Sequence, residues 1–340
     1  MSYDIITFGS ATQDVHIKSK AFKILEEGKD VSTTFESGKG ICLPFGSKIE
    51  VEDIAFTSGG GGTNTAAGFA KQGFRTAFCG AIGADVSGLE IIMELKHLRV
   101  DTRFIVKKKA KHTNYSIVMS NNSGERTILA YRGASDMLDK KDIKWKRIKK
   151  VKWFYSAPLT GSLLESFGEI VSFAKANNIK VAVNPSKQQL SLPVEEIKNI
   201  FSKIDVLFLN QEEASFLTKT GVPGLPGARP STQIENLSAL VPNGVAVITR
   251  GADGVVVCDG KYIYSAKPDP ERKVVDTTGA GDSFASGFLS DFIRSNGDIE
   301  KAIQLGLANS AANLSQVGAK NGLLDKNSEF KRVQVTKIET

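Results

Sequence analysis

A nine-residue stretch in the last quarter of the chain, DTTGAGDSF at 276–284, constrains the fold more than any other feature. The segment before it, 272–275, has the apolar and polar mixture of a strand end. The segment after it, 285–293, is apolar on a helical period. The sequence therefore predicts a strand, a glycine turn and a helix that begins at 279–281.

The predicted helix start is suited to binding a phosphate group. The first N–H groups of a helix have no internal acceptor, and the aligned peptide dipoles make this end positive. Gly279, Ala280 and Gly281 are small enough to let a phosphate approach the backbone closely. Asp282 adds a carboxylate that could take the proton of an attacking hydroxyl. The pattern indicates phosphoryl transfer to an alcohol, although an ordinary acidic helix start has the same sequence.

At these residues the chain resembles the PfkB/ribokinase family of carbohydrate and nucleoside kinases. DTTGAGDSFASGFL at 276–289 follows the family's C-terminal signature, and GGGGTNTA at 59–66, with Gly73 and Gly83, follows its N-terminal signature. The two motifs are widely separated and occur in the family's order, and the resemblance covers nearly all of the chain. It implies an α/β fold with a doubly wound, mostly parallel sheet, helices on both faces and a small β-rich lid.

Hydrophobic periodicity predicts the same class of fold. Strands are predicted near 76–83, 151–156, 179–184, 204–209 and 244–249, and helices at 86–97, 161–177, 211–218 and 231–240. Strands that alternate with helices favour a parallel, doubly wound sheet, which we treat as one domain over 1–340.

Two segments, about 12–57 and 101–132, contain runs that alternate between apolar and polar residues. Alternation is typical of strands with one buried and one solvent-exposed face, and we assign these segments to the lid. An antiparallel extension of the main sheet would give the same pattern, and 20–49 is left unassigned. Exposed lid strands would favour a homodimer.

Candidate acceptor-binding residues lie in the first half of the chain. Asp14 follows the first strand, at the sheet edge where ligands bind in open α/β folds, although it could simply be a turn residue. Gly60 lets the backbone approach a ligand, and Asn64 can both donate and accept hydrogen bonds. The resemblance implies that these three residues hold the acceptor. Arg132 could meet a carboxylate or phosphate on the acceptor, or could be a surface arginine.

The resemblance also implies a nucleotide site for ATP with Mg²⁺. Its predicted nucleotide-binding residues are Asn210, Thr249, Gly251, Gly254, Thr278 and Asn309. Glu213 would contact Mg²⁺ through water, although Asn210 and Glu213 also fit a plain helix cap. Asp276, with Thr278, would belong to a site for a monovalent cation such as K⁺.

Composition limits the other classes of function. The net charge of +7 comes from dispersed lysines, which favours a solvated basic face over a nucleic-acid surface. Three scattered cysteines and three histidines argue against a disulfide framework or a histidine-based metal centre. The N-terminus lacks a signal-peptide pattern, and no apolar run is long enough to span a membrane. We expect a cytoplasmic protein with no nucleic-acid or membrane partner.

We therefore predict transfer of the γ-phosphate of Mg-ATP to a hydroxymethyl group of a sugar or sugar acid, with Asp282 as general base. A nucleoside kinase is the alternative, with the nucleobase of the acceptor held by Phe45, Phe56 or Tyr131. A catalytically silent binding protein is disfavoured by the intact Asp282 and glycines. A P-loop enzyme is excluded because no G-x-x-x-x-G-K-[ST] sequence occurs, and a dinucleotide site is disfavoured because Phe284 replaces its third small residue.

Overall fold

The computed structural model describes residues 2–28, 38–121, 126–219 and 230–340. The strands are β1 Ile5–Phe8, β2 Thr12–Lys18, β3 Lys23–Glu26, β4 Lys39–Cys42, β5 Asp53–Gly59, β6 Thr76–Gly83, β7 Asp101–Lys108, β8 Asn114–Ser120, β9 Arg126–Tyr131, β10 Trp153–Ser156, β11 Lys180–Val183, β12 Val206–Asn210, β13 Val245–Thr249, β14 Val255–Cys258, β15 Tyr262–Ala266 and β16 Val335–Glu339. The helices are α1 Gly61–Lys71, α2 Val86–His97, α3 Trp145–Ile148, α4 Gly161–Glu165, α5 Phe167–Ala176, α6 Lys187–Leu190, α7 Val194–Phe201, α8 Gln211–Lys219, α9 Pro230–Leu240, α10 Ala280–Arg294 and α11 Ile299–Leu314.

The described residues form a ten-stranded central sheet in the order β16-β15-β14-β13-β12-β11-β10-β1-β6-β7. The pairs from β13 through β1 to β7 are parallel, whereas β14, β15 and β16 add antiparallel strands at one edge. Successive side chains of a strand point to opposite faces. Ile6 and Phe8 accordingly belong to one core cluster with Ile170 of α5, whereas Ile5 belongs to a second cluster with Phe288 of α10. Helices thus cover both faces, and the predicted doubly wound sheet is confirmed.

A separate four-stranded sheet, in the order β5-β2-β8-β9, forms the lid. β2 pairs in parallel with β8, and the two outer pairs are antiparallel. β3 and β4 form a two-stranded sheet of their own within the 20–49 stretch that the sequence left unassigned. The lid strands predicted within 12–57 and 113–131 are therefore present.

The prediction that 101–107 belongs to the lid is wrong. β7 pairs in parallel with β6 and forms an edge of the central sheet. Phe104 on this strand is buried in the core, whereas its neighbour Arg103 is exposed. An edge strand with one covered face alternates in the same way as a lid strand, so the sequence pattern could not separate the two.

Close packing of α1 against α10 brings the two glycine-rich motifs together. A Cβ atom at Gly68 of α1 would lie 2.2 Å from Oγ of Ser286 on α10, so only glycine permits this approach. Both helices begin next to the carboxyl ends of the parallel strands, which is the edge where α/β sheets bind ligands. In the described part of the chain, no helix is long and apolar enough to cross a bilayer.

Candidate active site

The first turns of α1 and α10 are joined by a hydrogen bond between their polar side chains. Nδ2 of Asn64 donates to Oδ2 of Asp282 at 2.8 Å, across 218 residues of sequence. The other amide atom, Oδ1 of Asn64, is buried and has no hydrogen-bond partner among the described residues. A buried acceptor without a donor is unfavourable in the free protein. A ligand hydroxyl that donated to Oδ1 would remove this cost.

The surroundings of Asp282 suit a group that takes up a proton. Burial raises the pKa of this carboxyl above its ordinary value, against the hydrogen bond from Asn64 and the positive charge of Lys320. A Cβ atom at Gly61 would lie 3.4 Å from Oδ1 of Asp282. The same Cβ atom would lie 3.1 Å from Cβ of Ala157, so glycine at this position allows α1 to pack closely beside Asp282.

Asp14 lies on β2, at the junction between the lid and the central sheet. Its carboxylate is buried, and burial raises its pKa despite a hydrogen bond from Ser116 and the charge of Lys320. A Cβ atom at Gly59 would lie 2.0 Å from Oδ2 of Asp14, so the glycine motif makes room for the carboxylate. Gly60, the residue before α1, has a φ of 95°, which favours glycine. Asp14 and the predicted acceptor residues of the glycine motif therefore adjoin one another.

Lys320 is a charged residue of this region that sequence reasoning missed. Its side chain is only 4% exposed, and its Nζ contacts Oγ of Ser58 and, at 3.3 Å, Oε2 of Glu94. Burial lowers the pKa of Lys320, whereas the charges of Glu94, Asp14 and Asp282 raise it. One buried cation therefore acts on both acidic residues of the predicted acceptor site. In the sequence it follows Gly-Ala in a turn, where a lysine normally indicates a surface position.

The anion site predicted at 279–281 is an open helix start. Gly279 precedes α10 with a φ of 80°, and a Cβ atom there would lie 2.5 Å from Cβ of Ala319. Only glycine fits such a position. A Cβ atom at Gly281 would have no heavy atom within 4 Å, which shows that open space faces this turn. The free first-turn N–H groups are thus accessible to an anion.

A cavity of 390 Å³ adjoins the helix start. Thr249, Gly251 and Gly254, all predicted to bind the nucleotide, line it together with Ala280 and Gly281. The rest of its lining is largely apolar and includes Val274, Phe284, Leu307, Ala311 and Leu314. An elongated ligand could therefore place a flat apolar group in the cavity and its anionic end at the start of α10.

Comparison with known proteins identifies the family. A family model described as pfkB family carbohydrate kinase matches residues 33–327. The chain belongs to the PfkB family. The ribokinase of Staphylococcus aureus is 27% identical over 284 residues, which cover 81% of this chain and 88% of that protein. The adenosine kinase of Schizosaccharomyces pombe is 26% identical over 274 residues, or 74% and 78% of the two chains.

Solved structures of the family share the fold. The ribokinase of Thermotoga maritima superposes with a TM-score of 0.75 at 20% identity, covering 95% of this chain and 97% of that one. The ribokinase of Arabidopsis thaliana gives a TM-score of 0.74 at 20% identity, with 96% and 97% covered. This PfkB protein is therefore a kinase with a ribokinase-like fold, acting on a sugar or a nucleoside.

In this PfkB protein, Asn210 and Glu213 form a reciprocal helix cap at the end of β12. The N–H of Asn210 donates to Oε2 of Glu213 at 2.9 Å, and the N–H of Glu213 donates to Oδ1 of Asn210 at 2.8 Å. Burial raises the pKa of Glu213, against the hydrogen bond from Asn210. The negative charges of Glu213 and Asp282 both act on the buried hydroxyl of Tyr155, so the two carboxylates lie near the same edge of the sheet.

Asn309 and Thr278 do not line the cavity. Asn309 is fully buried, donates from Nδ2 to O of Ser283 at 2.7 Å, and accepts from the N–H of Leu324 at 2.8 Å. It joins α10 to the segment after α11, and its role in the structure differs from the predicted nucleotide contact. Thr278 instead hydrogen bonds to Asp276. The neighbouring Thr277 lines the cavity in its place.

The side chains predicted to select the acceptor lie at the surface of the lid. Arg132, directly after β9, is exposed and makes no hydrogen bond or ion pair within the described ranges. Phe45, Phe56 and Tyr131 are also exposed. The structure therefore brings Asp14, Gly60 and Asn64 together but leaves the lid residues at a free surface.

Proposed function

We propose that this PfkB kinase transfers the γ-phosphate of ATP to a hydroxymethyl group of a sugar or sugar acid, with Asp282 as general base. The observation that carries the proposal is the pairing of Asn64 with Asp282 beside the open start of α10. It combines a carboxylate, a buried unpaired acceptor on Asn64 and an anion site in one place.

In this mechanism the acceptor hydroxyl lies beside the carboxylate of Asp282, next to the open first turn of α10 at Gly281. Asp282 takes the hydroxyl proton as the oxygen attacks the γ-phosphorus, and the bond to ADP breaks. The N–H groups of 279–281 stabilise the negative charge on the transferred group. The raised pKa of Asp282 makes it a stronger base than an exposed aspartate, as long as the pH keeps it ionised.

Asp14, Gly60 and Asn64 would hold the remaining hydroxyl groups of the acceptor. A buried carboxylate such as Asp14 accepts hydrogen bonds strongly, and two vicinal hydroxyls can both donate to it. Arg132 would meet a carboxylate or phosphate of the acceptor when the lid closes over it. A closed lid would also exclude water, which otherwise hydrolyses ATP.

The cavity beside α10 would hold the adenosine part of ATP. Its apolar lining suits an adenine ring, and Thr249, Gly251 and Gly254 line it together with Ala280 and Gly281 of the helix start. The Arabidopsis ribokinase with the same fold is complexed with ribose and ATP, which supports both substrates.

The residues at the end of β12 fit an indirect contact with Mg²⁺. Glu213 offers a carboxylate of which one oxygen is held by the N–H of Asn210. In the part of the chain that the structure describes, no group of three or more His, Cys, Asp or Glu residues could hold a metal ion. Mg²⁺ usually binds to substrate phosphates and water with few protein ligands, so Glu213 and Asn210 would contact its water shell. When bound, Mg²⁺ neutralises charge on the β- and γ-phosphates.

A nucleoside acceptor is the second candidate, supported by the similarity to an adenosine kinase. A nucleobase would need an aromatic surface. The exposed Phe56 and Tyr131 of the lid strands would provide one to a ligand on the lid face opposite Asp14. The same exposed lid face, with Ile54 and Leu129, would bury its apolar side chains in a homodimer. We place the reaction in the cytoplasm, where ATP is abundant.

The test is ADP release from Mg-ATP with ribose, fructose, 2-keto-3-deoxygluconate, hexose phosphates, adenosine, guanosine and cytidine. We expect saturable turnover with one sugar or sugar acid and none with the nucleosides. Turnover with a nucleoside alone would replace the proposed acceptor class. An Asp282→Asn variant should then lose about 10²–10⁴-fold in kcat while still binding ATP. Unchanged turnover would overturn the assignment of Asp282 as the base.

A further inference from the structure

An arginine from the lid is bound to the loop that precedes the anion site. Nη1 of Arg126, the first residue of β9, donates to Oδ1 of Asp276 at 3.0 Å and to Oγ1 of Thr278 at 3.1 Å. The Asp276 side chain is only 10% exposed and that of Arg126 is 33% exposed. The carboxylate is therefore shielded from water while the arginine remains partly exposed, and the pair is less screened than one between two surface side chains.

The Asp276 carboxylate has hydrogen-bond donors on both of its oxygens. Oδ1 accepts from the N–H of Thr278 at 2.9 Å, from Oγ1 of Thr278 at 2.7 Å and from Arg126. Oδ2 accepts from the N–H of Gly318 at 2.9 Å. The carboxylate is thus already bound to a cation, the guanidinium of Arg126.

These contacts do not fit the K⁺ site that the resemblance implies for Asp276. A monovalent metal ion at this carboxylate would have to displace a guanidinium group or lie beside it. Two like charges so close together repel each other, and more strongly where water is excluded. Arg126 moreover forms directional hydrogen bonds to both Asp276 and Thr278, which a metal ion cannot reproduce.

Asp276 also connects three separate segments of the fold. Arg126 belongs to the lid, Thr278 to the turn before Gly279, and Gly318 to the loop after α11. The turn holds the anion site in place, and its backbone is fixed by the Asp276 carboxylate. The Arg126 guanidinium is therefore bound to a residue that only two residues, Thr277 and Thr278, separate from Gly279 at the anion site.

We propose that Arg126 is a positioning residue that takes the place of a monovalent cation at Asp276, so that phosphoryl transfer does not depend on K⁺. The arginine fixes the turn at 277–279 and ties it to the lid, which orders the anion site when the lid is closed. This inference rests on the proposed kinase activity for its kinetic part. Arg126 touches neither ATP nor the acceptor in this scheme.

The experiment compares KCl with choline chloride at equal ionic strength, in the wild type, Arg126→Ala and Arg75→Ala. Arg75 pairs with Asp4 at the opposite edge of the sheet and is the matched control. We expect wild-type kcat/KM to be the same in both salts. In choline chloride, kcat/KM of Arg126→Ala should be at least about ten-fold lower than that of the wild type, the usual effect of removing a charged hydrogen-bond partner. In KCl the variant should regain activity. Arg75→Ala should behave as the wild type.

Two results would overturn the proposal. One is activation of the wild type by K⁺ over choline, and the other is an Arg126→Ala variant as indifferent to K⁺ as the wild type. Thermal unfolding in the two salts gives a reading that does not need turnover. The Tm of the wild type should be the same in both, whereas that of Arg126→Ala should be higher in KCl. If no acceptor is phosphorylated, the proposed function fails, while the Tm comparison still decides whether Asp276 binds K⁺.

Discussion

Asn64 and Asp282 form a hydrogen-bonded pair that joins the two glycine motifs of the chain, with Nδ2 and Oδ2 separated by 2.8 Å. The amide holds the carboxylate through one atom and keeps its buried oxygen free for a ligand. Asn64 therefore contacts both the base and the acceptor in the proposed mechanism. Its removal should affect the chemical step as well as acceptor binding.

We expect Asn64→Ala to lower kcat/KM for the acceptor by about 10–100-fold, because two hydrogen bonds to charged or reacting groups are lost. In the wild type the hydrogen bond from Asn64 lowers the pKa of Asp282, so its loss should raise that pKa and move the acid limb of the pH profile to higher pH. Initial rates from pH 5 to 9 measure both effects. Asn177→Ala, which removes a helix-end hydrogen bond to Phe173, is the control. An unshifted acid limb would contradict the assigned pairing.

A second pH effect should follow from Lys320. Its charge lowers the pKa of both Asp14 and Asp282, so Lys320→Met should raise both values. Asp282 must be ionised to act as a base. As the pH is lowered, kcat/KM of the variant should therefore begin to fall at a higher pH than kcat/KM of the wild type. The variant also leaves Glu94 without its cation, which should cost about 1 kcal/mol of unfolding free energy because Glu94 is partly exposed.

The pH profiles of Lys320→Met and Lys326→Met, with urea unfolding of each, test this prediction. Lys326 is exposed and lies six residues later in the same C-terminal segment. Its variant should keep the wild-type profile. Equal profiles for Lys320→Met and the wild type would mean that the buried lysine does not act on the carboxylates.

The sequence predicted those parts of the site that depend on local pattern. The glycine turn and helix at 279–294 and the helix that starts after Gly60 have local signals, namely glycines followed by helical periodicity. The strand predicted at 272–275 is wrong, because these residues form an irregular segment between β15 and α10. The cavity residues Thr249, Gly251 and Gly254 were found through the resemblance. These features are fixed by short stretches of chain and do not require knowledge of packing.

The parts that were missed depend on contacts between distant segments. Lys320 and Arg126 are polar residues in turn and strand-end positions, and their partners Glu94 and Asp276 lie far away in sequence. Periodicity also could not show that β7 pairs with β6, since edge and lid strands share one pattern. Such pairings become visible only once the topology brings the segments together.

The nucleotide cavity allows a steric test. Ala311 of α11 lines it, and a phenylalanine there would occupy space assigned to adenine. We expect Ala311→Phe to raise KM for ATP by at least about ten-fold, the effect of losing about 1.4 kcal/mol of binding, while KM for the acceptor stays the same. Ala308→Phe is the matched control, because Ala308 lies one turn earlier and lines only the adjacent cavity. Equal KM values for ATP in the two variants would place the adenine elsewhere.

Asp4 should contribute to stability without affecting catalysis. It lies just before β1, at the edge opposite the site, and accepts hydrogen bonds from the Arg75 side chain and N–H while pairing with Lys152 at 3.0 Å. Burial would raise its pKa, but these hydrogen bonds lower it from 3.8 to about 2. A carboxyl whose pKa is lowered by folding stabilises the protein above its unfolded pKa, and this contribution is lost as the pH falls through the folded value.

The shift in the pKa of Asp4 corresponds to about 2 kcal/mol at pH 7, since its side chain is only 18% exposed. Asp4→Asn should therefore reduce the unfolding free energy by about this amount at pH 7 and by about half as much at pH 3. Urea unfolding at both pH values measures the difference, with Asp325→Asn as the control for an exposed ion pair with Lys71. A deficit that did not shrink between pH 7 and pH 3 would show that Asp4 stabilises the fold by packing and not by its charge.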